Sequence, residues 1–206
     1  MISYAQNFED VILWRVLKHV NSGFYIDVGA NDPKKDSVTK WFYDNGWRGI
    51  NIEPVSQWFH EINIDRVRDI NLNVAAGDSE GTLTLYEIPD TGLSTSNKEY
   101  AEKHENENGF ANNEIQVPQK TLTSICEEFH VSPIHFLKID VEGAELSVLN
   151  GLDLKIIRPW IILVEATLPG TQKEEYQLWE NILLSGGYHF TYFDGLNRFY
   201  VADEKV

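Results

Sequence analysis

The chain has almost no cysteine, little positive charge and no long apolar run. Its one cysteine among 206 residues, Cys126, excludes a disulfide framework and any four-cysteine zinc site, and fits a reducing compartment. Only 17 lysines and arginines stand against 32 aspartates and glutamates, a net charge of −15. Such a surface repels phosphate backbones and anionic membrane surfaces, so nucleic acid is not an expected partner. The longest apolar stretch, Trp160 to Val164, is too short to span a bilayer. The first ten residues carry acids where a signal peptide needs lysine or arginine, and no apolar run follows. The expected location is cytoplasmic. What the chain does have is apolar content enough, 42%, for the core of one domain over residues 1–206.

Periodicity predicts the elements. Ile12, Val16 and Val20, with Leu13 and Leu17 beside them, mark an amphipathic helix over 8–20, with Asn7 as N-cap and 1–22 as an N-terminal helical segment. Strand 24–28, helix 37–45, strand 50–52, helix 55–65 and strand 70–75 follow, a β-α-β-α-β rhythm that predicts a parallel sheet with right-handed crossovers. Residues 82–88 alternate like an extra strand, and the polar tract 97–109 reads as a solvated loop or short exposed helix within a loop or lid insertion over 90–120. A helix near 122–129, with Ser124 and Glu127 at capping-box spacing, precedes strands 136–139 and 161–164. A helix over 174–185 leads to a hairpin, 188–193 and 198–201, turned by Asp194-Gly195. The fold class is α/β: a mostly parallel, doubly wound sheet ending in an antiparallel hairpin.

In such sheets ligands bind beyond the C-terminal strand ends. Those ends carry Asp27-Val-Gly29, Glu53, Asp140 with Glu142-Gly143, and Glu165. Gly29 followed 24 residues later by Glu53 suits a nucleoside: the turn admits backbone close to the ligand and the acid takes ribose hydroxyls. The turn Gly29-Ala-Asn-Asp-Pro lacks the second and third glycines that seat a pyrophosphate, and Asp32 would oppose it. A nucleoside without pyrophosphate, such as S-adenosylmethionine, fits better.

At these residues the chain resembles the FkbM family of S-adenosylmethionine-dependent methyltransferases. The resemblance rests on Phe24-Tyr-Ile-Asp-Val-Gly-Ala-Asn31, Ser37-Val-Thr39, Gly46-Trp-Arg-Gly-Ile-Asn-Ile-Glu-Pro54, Phe136-Leu-Lys-Ile-Asp-Val-Glu-Gly-Ala-Glu145 and Arg158-Pro-Trp-Ile-Ile-Leu-Val-Glu165. Tyr4-Ala-Gln-Asn-Phe-Glu-Asp10 and Phe193-Asp-Gly-Leu-Asn-Arg-Phe-Tyr-Val201 extend it to nearly the whole chain. It implies a Rossmann-like class I methyltransferase fold and methyl transfer to oxygen, commonly a hydroxyl on a sugar or polyketide. By the same resemblance Asp27, Gly29 and Asn31 line the cofactor's methionine end, Glu53 binds the ribose, Asp78 lies near the adenine, and Ser37 is a further cofactor-binding candidate. Tyr4 and Gln6 are expected to fold over the cofactor.

An alcohol needs a base to become a competent nucleophile. Asp140 is the first candidate and Glu142 the second, with Lys138 on the same side of its strand as Asp140. Ser94 and Thr95, in the turn Thr91-Gly-Leu-Ser-Thr95, and Glu165 are acceptor-side candidates. Asp140, Glu142 and Glu165 also have the oxygen chemistry for Mg²⁺, but no metal site is favoured, because acids at strand ends also arise from capping and ion pairing. Trp41, Trp47, Trp58 and Trp160 read as core, and His19, His60, His104 and His130 as solvated. The expected partner is a sugar, nucleotide-activated or in a surface glycan. The alternatives are a nucleotide-sugar or NAD-dependent enzyme of Rossmann type, or a non-catalytic nucleoside-binding module.

Overall fold

Hydrophobic alternation and short turns produce a regular β/α succession in the computed structural model, which describes residues 1–206. A helix at Glu9–Leu17 (α1) precedes strand Phe24–Val28 (β1). Then come helix Lys40–Asp44 (α2), strand Arg48–Ile52 (β2), helix Ser56–Asp65 (α3) and strand Ile70–Leu72 (β3). The middle holds strands Ala75–Ala76 (β4) and Gly81–Glu87 (β5), helix Lys98–Asn108 (α4) and strand Asn113–Lys120 (β6). Helix Leu122–Glu128 (α5), strand Phe136–Ile139 (β7), helix Glu145–Asn150 (α6) and strand Ile161–Glu165 (β8) resume the alternation. Helix Glu180–Ser185 (α7) leads to the closing hairpin, Tyr188–Phe193 (β9) and Asn197–Ala202 (β10).

Seven strands form one sheet in the order β3-β2-β1-β7-β8-β10-β9. The pairs among β3, β2, β1, β7 and β8 are parallel, and the terminal hairpin adds antiparallel to β8. The chain winds outward from β1 to β3 and later returns to β7, on the other side of β1. That reversal opens a crevice at the C-terminal ends of β1 and β7, where ligands bind in doubly wound sheets.

Period-two alternation sorts the core into two layers. Ile26, Val28, Ile50, Ile52, Leu137, Ile139, Ile162 and Val164 face α5, α6 and α7. Tyr25, Phe136, Leu163 and Phe199 face the other way, onto Leu13 and Leu17 of α1 and onto Phe42 and Trp47. Each of these buried side chains contributes roughly 1.5–3 kcal/mol relative to exposure. A second sheet of three strands, β4-β6-β5, packs Val55, Ala75, Leu85 and Val117 into a third small core with Trp58 against it.

Several predicted boundaries move, each for a tertiary reason. Helix α1 starts after Phe8, whose backbone is left-handed (φ 63°), and Asn7 is not its cap: the Asn7 amide donates to the Asp194 carbonyl at 2.8 Å. Helix α2 loses its first turn because Ser37 N–H is bonded to the Tyr4 carbonyl (3.1 Å) and the Thr39 hydroxyl to Asp27 (2.7 Å). The strand expected over 70–75 divides between the two sheets at Asn73, whose amide donates to the Glu53 and Pro54 carbonyls. Thr121, not Ser124, caps α5, accepting from Ser124 N–H at 3.1 Å. The helix expected from 174 begins only at Glu180, because Glu175 N–H donates to the Ala166 carbonyl (2.8 Å) and holds this stretch against the β8 exit.

The tract expected as loop or lid over 90–120 holds the short helix that is one reading of 97–109, and then an unexpected strand. Residues 98–108 are helix α4, capped by Asn97, which accepts from Glu99 N–H, and by Gly109. Residues 113–120 are β6, the central strand of the second sheet. Only Ile115 and Val117 mark its buried side, and Pro118, which has no N–H to give the ladder, disguises it. His104, expected to be solvated, is buried on α4.

Candidate active site

Gly29 ends β1 with φ +72°, and a Cβ there would run into the Asp140 carbonyl. Only glycine lets the ends of β1 and β7 close to this spacing. Parallel register sets Asp27 opposite Lys138. The Lys138 ammonium donates to the Gly29 carbonyl at 2.7 Å and lies 3.4 Å from both Asp27 Oδ1 and Asp140 Oδ2. Burial alone would lower the Lys138 pKa, but the Asp140 and Asp27 charges more than offset this and raise it. The ammonium thus ties both strand ends together as a permanent cation.

Glu53, at the end of β2, accepts from Asn31 N–H and Val55 N–H at 2.8 Å each, one bond per oxygen. Burial pushes its carboxyl up to about 7 even against those two bonds. Each oxygen keeps a further lone pair, and Glu53 lines a cavity of about 710 Å³, within the usual range for small-molecule sites. Val55, Trp58, Ala75, Ala76, Leu83 and Leu85 supply apolar lining beside Glu53. The Asn31 side-chain oxygen is buried without a hydrogen-bond partner.

Along the sheet edge the strand order places Glu53, Gly29, Asp140 and Glu165 on four successive strands, about 4.8 Å per step. Asp140, Glu142 and Glu165 each bring one carboxylate oxygen within 4.8 Å of the other two. One oxygen each of Glu142 and Glu165 is buried with no partner, as is the Thr167 hydroxyl. Burial, reinforced by the Asp140 charge, pushes Glu142 and Glu165 well above the ordinary carboxyl range. Asn31 (φ 48°) and Glu142 (φ 52°) are both left-handed non-glycine residues, a conformation costing about 1–3 kcal/mol and concentrated at functional sites. The Thr95 hydroxyl, donating to the Glu142 carbonyl at 2.7 Å, helps hold that turn.

The cavity gathers Gln6, Gly29, Asn31, Glu53, Ser94, Lys138, Asp140, Glu142 and Glu165 of the expected residues. Five others lie off it. Asp27 is buried behind Lys138 and accepts from Thr39. Ser37 accepts from Arg66. Tyr4 uses its backbone, N–H to Asp10 and carbonyl to Ser37, which fixes the approach of Gln6. Asp78 is exposed, its N–H on Ser147, and Thr95 supports Glu142 from outside. Sequence reasoning missed Thr167, Gly170–Gln172 and Leu196, and assigned Trp58 to the core. Trp58 packs against the third core and also lines the cavity, donating from Nε1 to the Thr91 carbonyl at 3.2 Å. The position of Thr167, two residues past Glu165 and so on the same side of an extended chain, was the available signal.

The arrangement can hold a nucleoside by an acid and an apolar wall, and can present carboxylates to a neighbouring group. The family model described as "Methyltransferase FkbM domain" matches residues 27–190. A crystal structure of methyltransferase FkbM from Methylobacillus flagellatus KT superposes with a TM-score of 0.52 at 16% identity, over 88% of this chain and 44% of that one. The present chain thus corresponds to less than half of that relative, and the likeness is one of fold. No curated protein matches the sequence. With the family match extending from β1 into β9, the chain belongs to the FkbM methyltransferase family.

Proposed function

We propose that the chain is an S-adenosylmethionine-dependent O-methyltransferase acting on a hydroxyl of a sugar, either nucleotide-activated or part of a surface glycan. The observation that carries this reading is one cavity that combines an apolar, Glu53-flanked side on β2 with an acidic side on β7 and β8. S-adenosylmethionine, when bound, supplies a methyl group on a sulfonium sulfur. Glu53 accepts the ribose hydroxyls, and Val55, Trp58, Leu83 and Leu85 cover the base. The unpartnered Asn31 oxygen accepts from the ligand's ammonium. Asp32, also on the cavity wall, is unfavourable to a pyrophosphate and so to NAD.

On the acceptor side, Asp140 takes the hydroxyl proton as the oxygen gains its new bond to carbon, a role contributing about 10²–10⁴-fold. Glu142 stands next to it, and Ser94 lines the acceptor space. Lys138 acts as a positioning residue, holding the Asp140 carboxylate by its 3.4 Å ion pair. Sugar hydroxyls suit this end because they offer donors to an acceptor-rich wall.

Two measurements test the reading. S-adenosylhomocysteine should raise the melting temperature and NAD(H) should not, since only a ligand of the native state adds stability. Incubation with S-adenosylmethionine and a panel of nucleotide-sugars and glycan fragments should add one methyl by mass, on oxygen. A shift from NAD(H) alone, or a methyl on nitrogen or carbon, would overturn it.

A further inference from the structure

We infer that Asp140, Glu142 and Glu165 form a binding site for one hard divalent cation, of the Mg²⁺, Mn²⁺ and Ca²⁺ class, with the Thr167 hydroxyl as a neutral fourth oxygen. The three carboxylates are brought together from two adjacent strands, and their nearest oxygens lie within 4.8 Å of one another. Two oxygens on one ion lie at most about 4.2 Å apart for Mg²⁺ and about 5 Å for Ca²⁺, given ligand distances of about 2.1 and 2.5 Å. A bound of 4.8 Å keeps the three oxygens within reach of one ion after a small closure, less for a calcium-sized ion than for a magnesium-sized one.

Charge accounting points the same way. Five acidic side chains meet here, those of Asp27, Asp140, Glu142, Glu145 and Glu165; Glu145 accepts from the Val141 and Gly143 N–H groups, and Lys138 is the ammonium beside them. That ammonium donates to the Gly29 carbonyl and pairs at 3.4 Å with Asp27 and Asp140. No ion pair reaches Glu142 or Glu165, and each of these has a buried oxygen with no protein partner. A separate observation comes from Thr167, which is 6% exposed, lines the same cavity and has an unpartnered hydroxyl. A buried hydroxyl without a partner is costly, and an oxygen ligand to an ion would satisfy it. An all-oxygen set of this kind selects hard cations over zinc or copper.

The ion would orient an acceptor oxygen and lower its pKa, so that its proton leaves more readily to Asp140. That role rests on the methyltransferase reading, whereas the binding of the ion does not. Chelator-stripped protein titrated calorimetrically with MnCl₂, MgCl₂ and CaCl₂ should take up one ion per chain, and bound Mn²⁺ should show the matching loss of free-ion paramagnetic resonance signal. Glu142→Gln and Glu165→Gln should each weaken binding at least tenfold. Thr167→Val, which removes only a neutral oxygen and little volume, should weaken it severalfold and serves should a Gln variant misfold. No saturable uptake of any of the three ions up to millimolar concentration, or uptake unchanged in the folded variants, would overturn the site. S-adenosylhomocysteine titrated into the same samples separates the two readings: ion uptake without nucleoside binding keeps the site and rejects the cofactor, and the converse rejects the site alone.

Discussion

Lys138 and Asp27 are register partners on adjacent parallel strands, and the Lys138 ammonium lies 3.4 Å from the Asp27 carboxylate with both side chains almost fully buried. The same ammonium reaches Asp140 at the site's edge. The parallel ladder between β1 and β7 is therefore also the support of the candidate base. Lys138→Met should leave two carboxylates without their cation and cost about 3–5 kcal/mol of unfolding free energy. Urea melts of the variant check this, and a loss below about 1 kcal/mol would mean that water replaces the ammonium at no cost.

Glu53 should make stability depend on pH. Burial pushes its carboxyl up to about 7, so the folded chain holds that proton more tightly than the unfolded chain does. The resulting stabilisation is complete below the ordinary glutamate range near pH 4.5 and is lost as pH rises through about 7. Relative to Glu53→Gln, the ligand-free protein should lose stability across this window with a slope approaching about 1.4 kcal/mol per pH unit. Parallel stability profiles for the two proteins would contradict the assignment. S-adenosylhomocysteine affinity should run the other way and rise with pH, because the ionised carboxylate is the better acceptor for ribose hydroxyls. Glu53→Ala should weaken that binding by roughly 1.5–3 kcal/mol.

Gly29→Ala tests the close approach of β1 and β7. The added methyl meets the Asp140 carbonyl, and the backbone is left-handed at φ +72°. The expected result is a loss of at least about 1 kcal/mol in stability, together with lost S-adenosylhomocysteine binding. Wild-type melting and affinity would show that the two strand ends are looser than described.

Asp140→Asn separates chemistry from binding. It removes the proton acceptor with almost no change in volume, and the Asp140 backbone carbonyl beside Gly29 is untouched. Single-turnover assays on the acceptor found by the methyl screen should show a fall of about 10²–10⁴-fold, with S-adenosylhomocysteine affinity within a few-fold of wild type. Turnover at the wild-type rate would remove Asp140 from the chemistry.

The N-terminal segment shows how far local reading reaches. Tyr4 to Asp10 carries a recognisable motif whose two acids act at different ranges: Asp10 accepts from Ser3 and Tyr4 nearby, whereas Glu9 accepts from the Asn197 amide at 2.8 Å, nearly the whole chain away. Asn7 reaches Asp194 of the hairpin turn. The two ends of the chain are thus sewn together over the sheet edge, which brings Gln6 and Leu196 into one cavity. No helical or strand period encodes such a contact, because it pairs residues nearly the whole chain apart.

The parallel sheet, its closing hairpin and the acids at its strand ends are legible in the order of the residues. Those features are written in short runs buried on both faces, such as Phe24–Val28 and Phe136–Ile139, each closed by a glycine or an acid, and such runs depend on local sterics and burial alone. Tertiary structure alone decided which of the marked residues face the ligand. Asp27 and Asp140 stand close together at adjacent strand ends, but the Lys138 ammonium buries the first and leaves the second at the cavity. It also made 113–120 a strand, since Pro118 and a single apolar face find their stability in the pairing with β5 on one side and β4 on the other. Trp58 joined the cavity wall for the same reason: burial against a second sheet depends on partners distant in the chain, and those partners are assembled only by the fold.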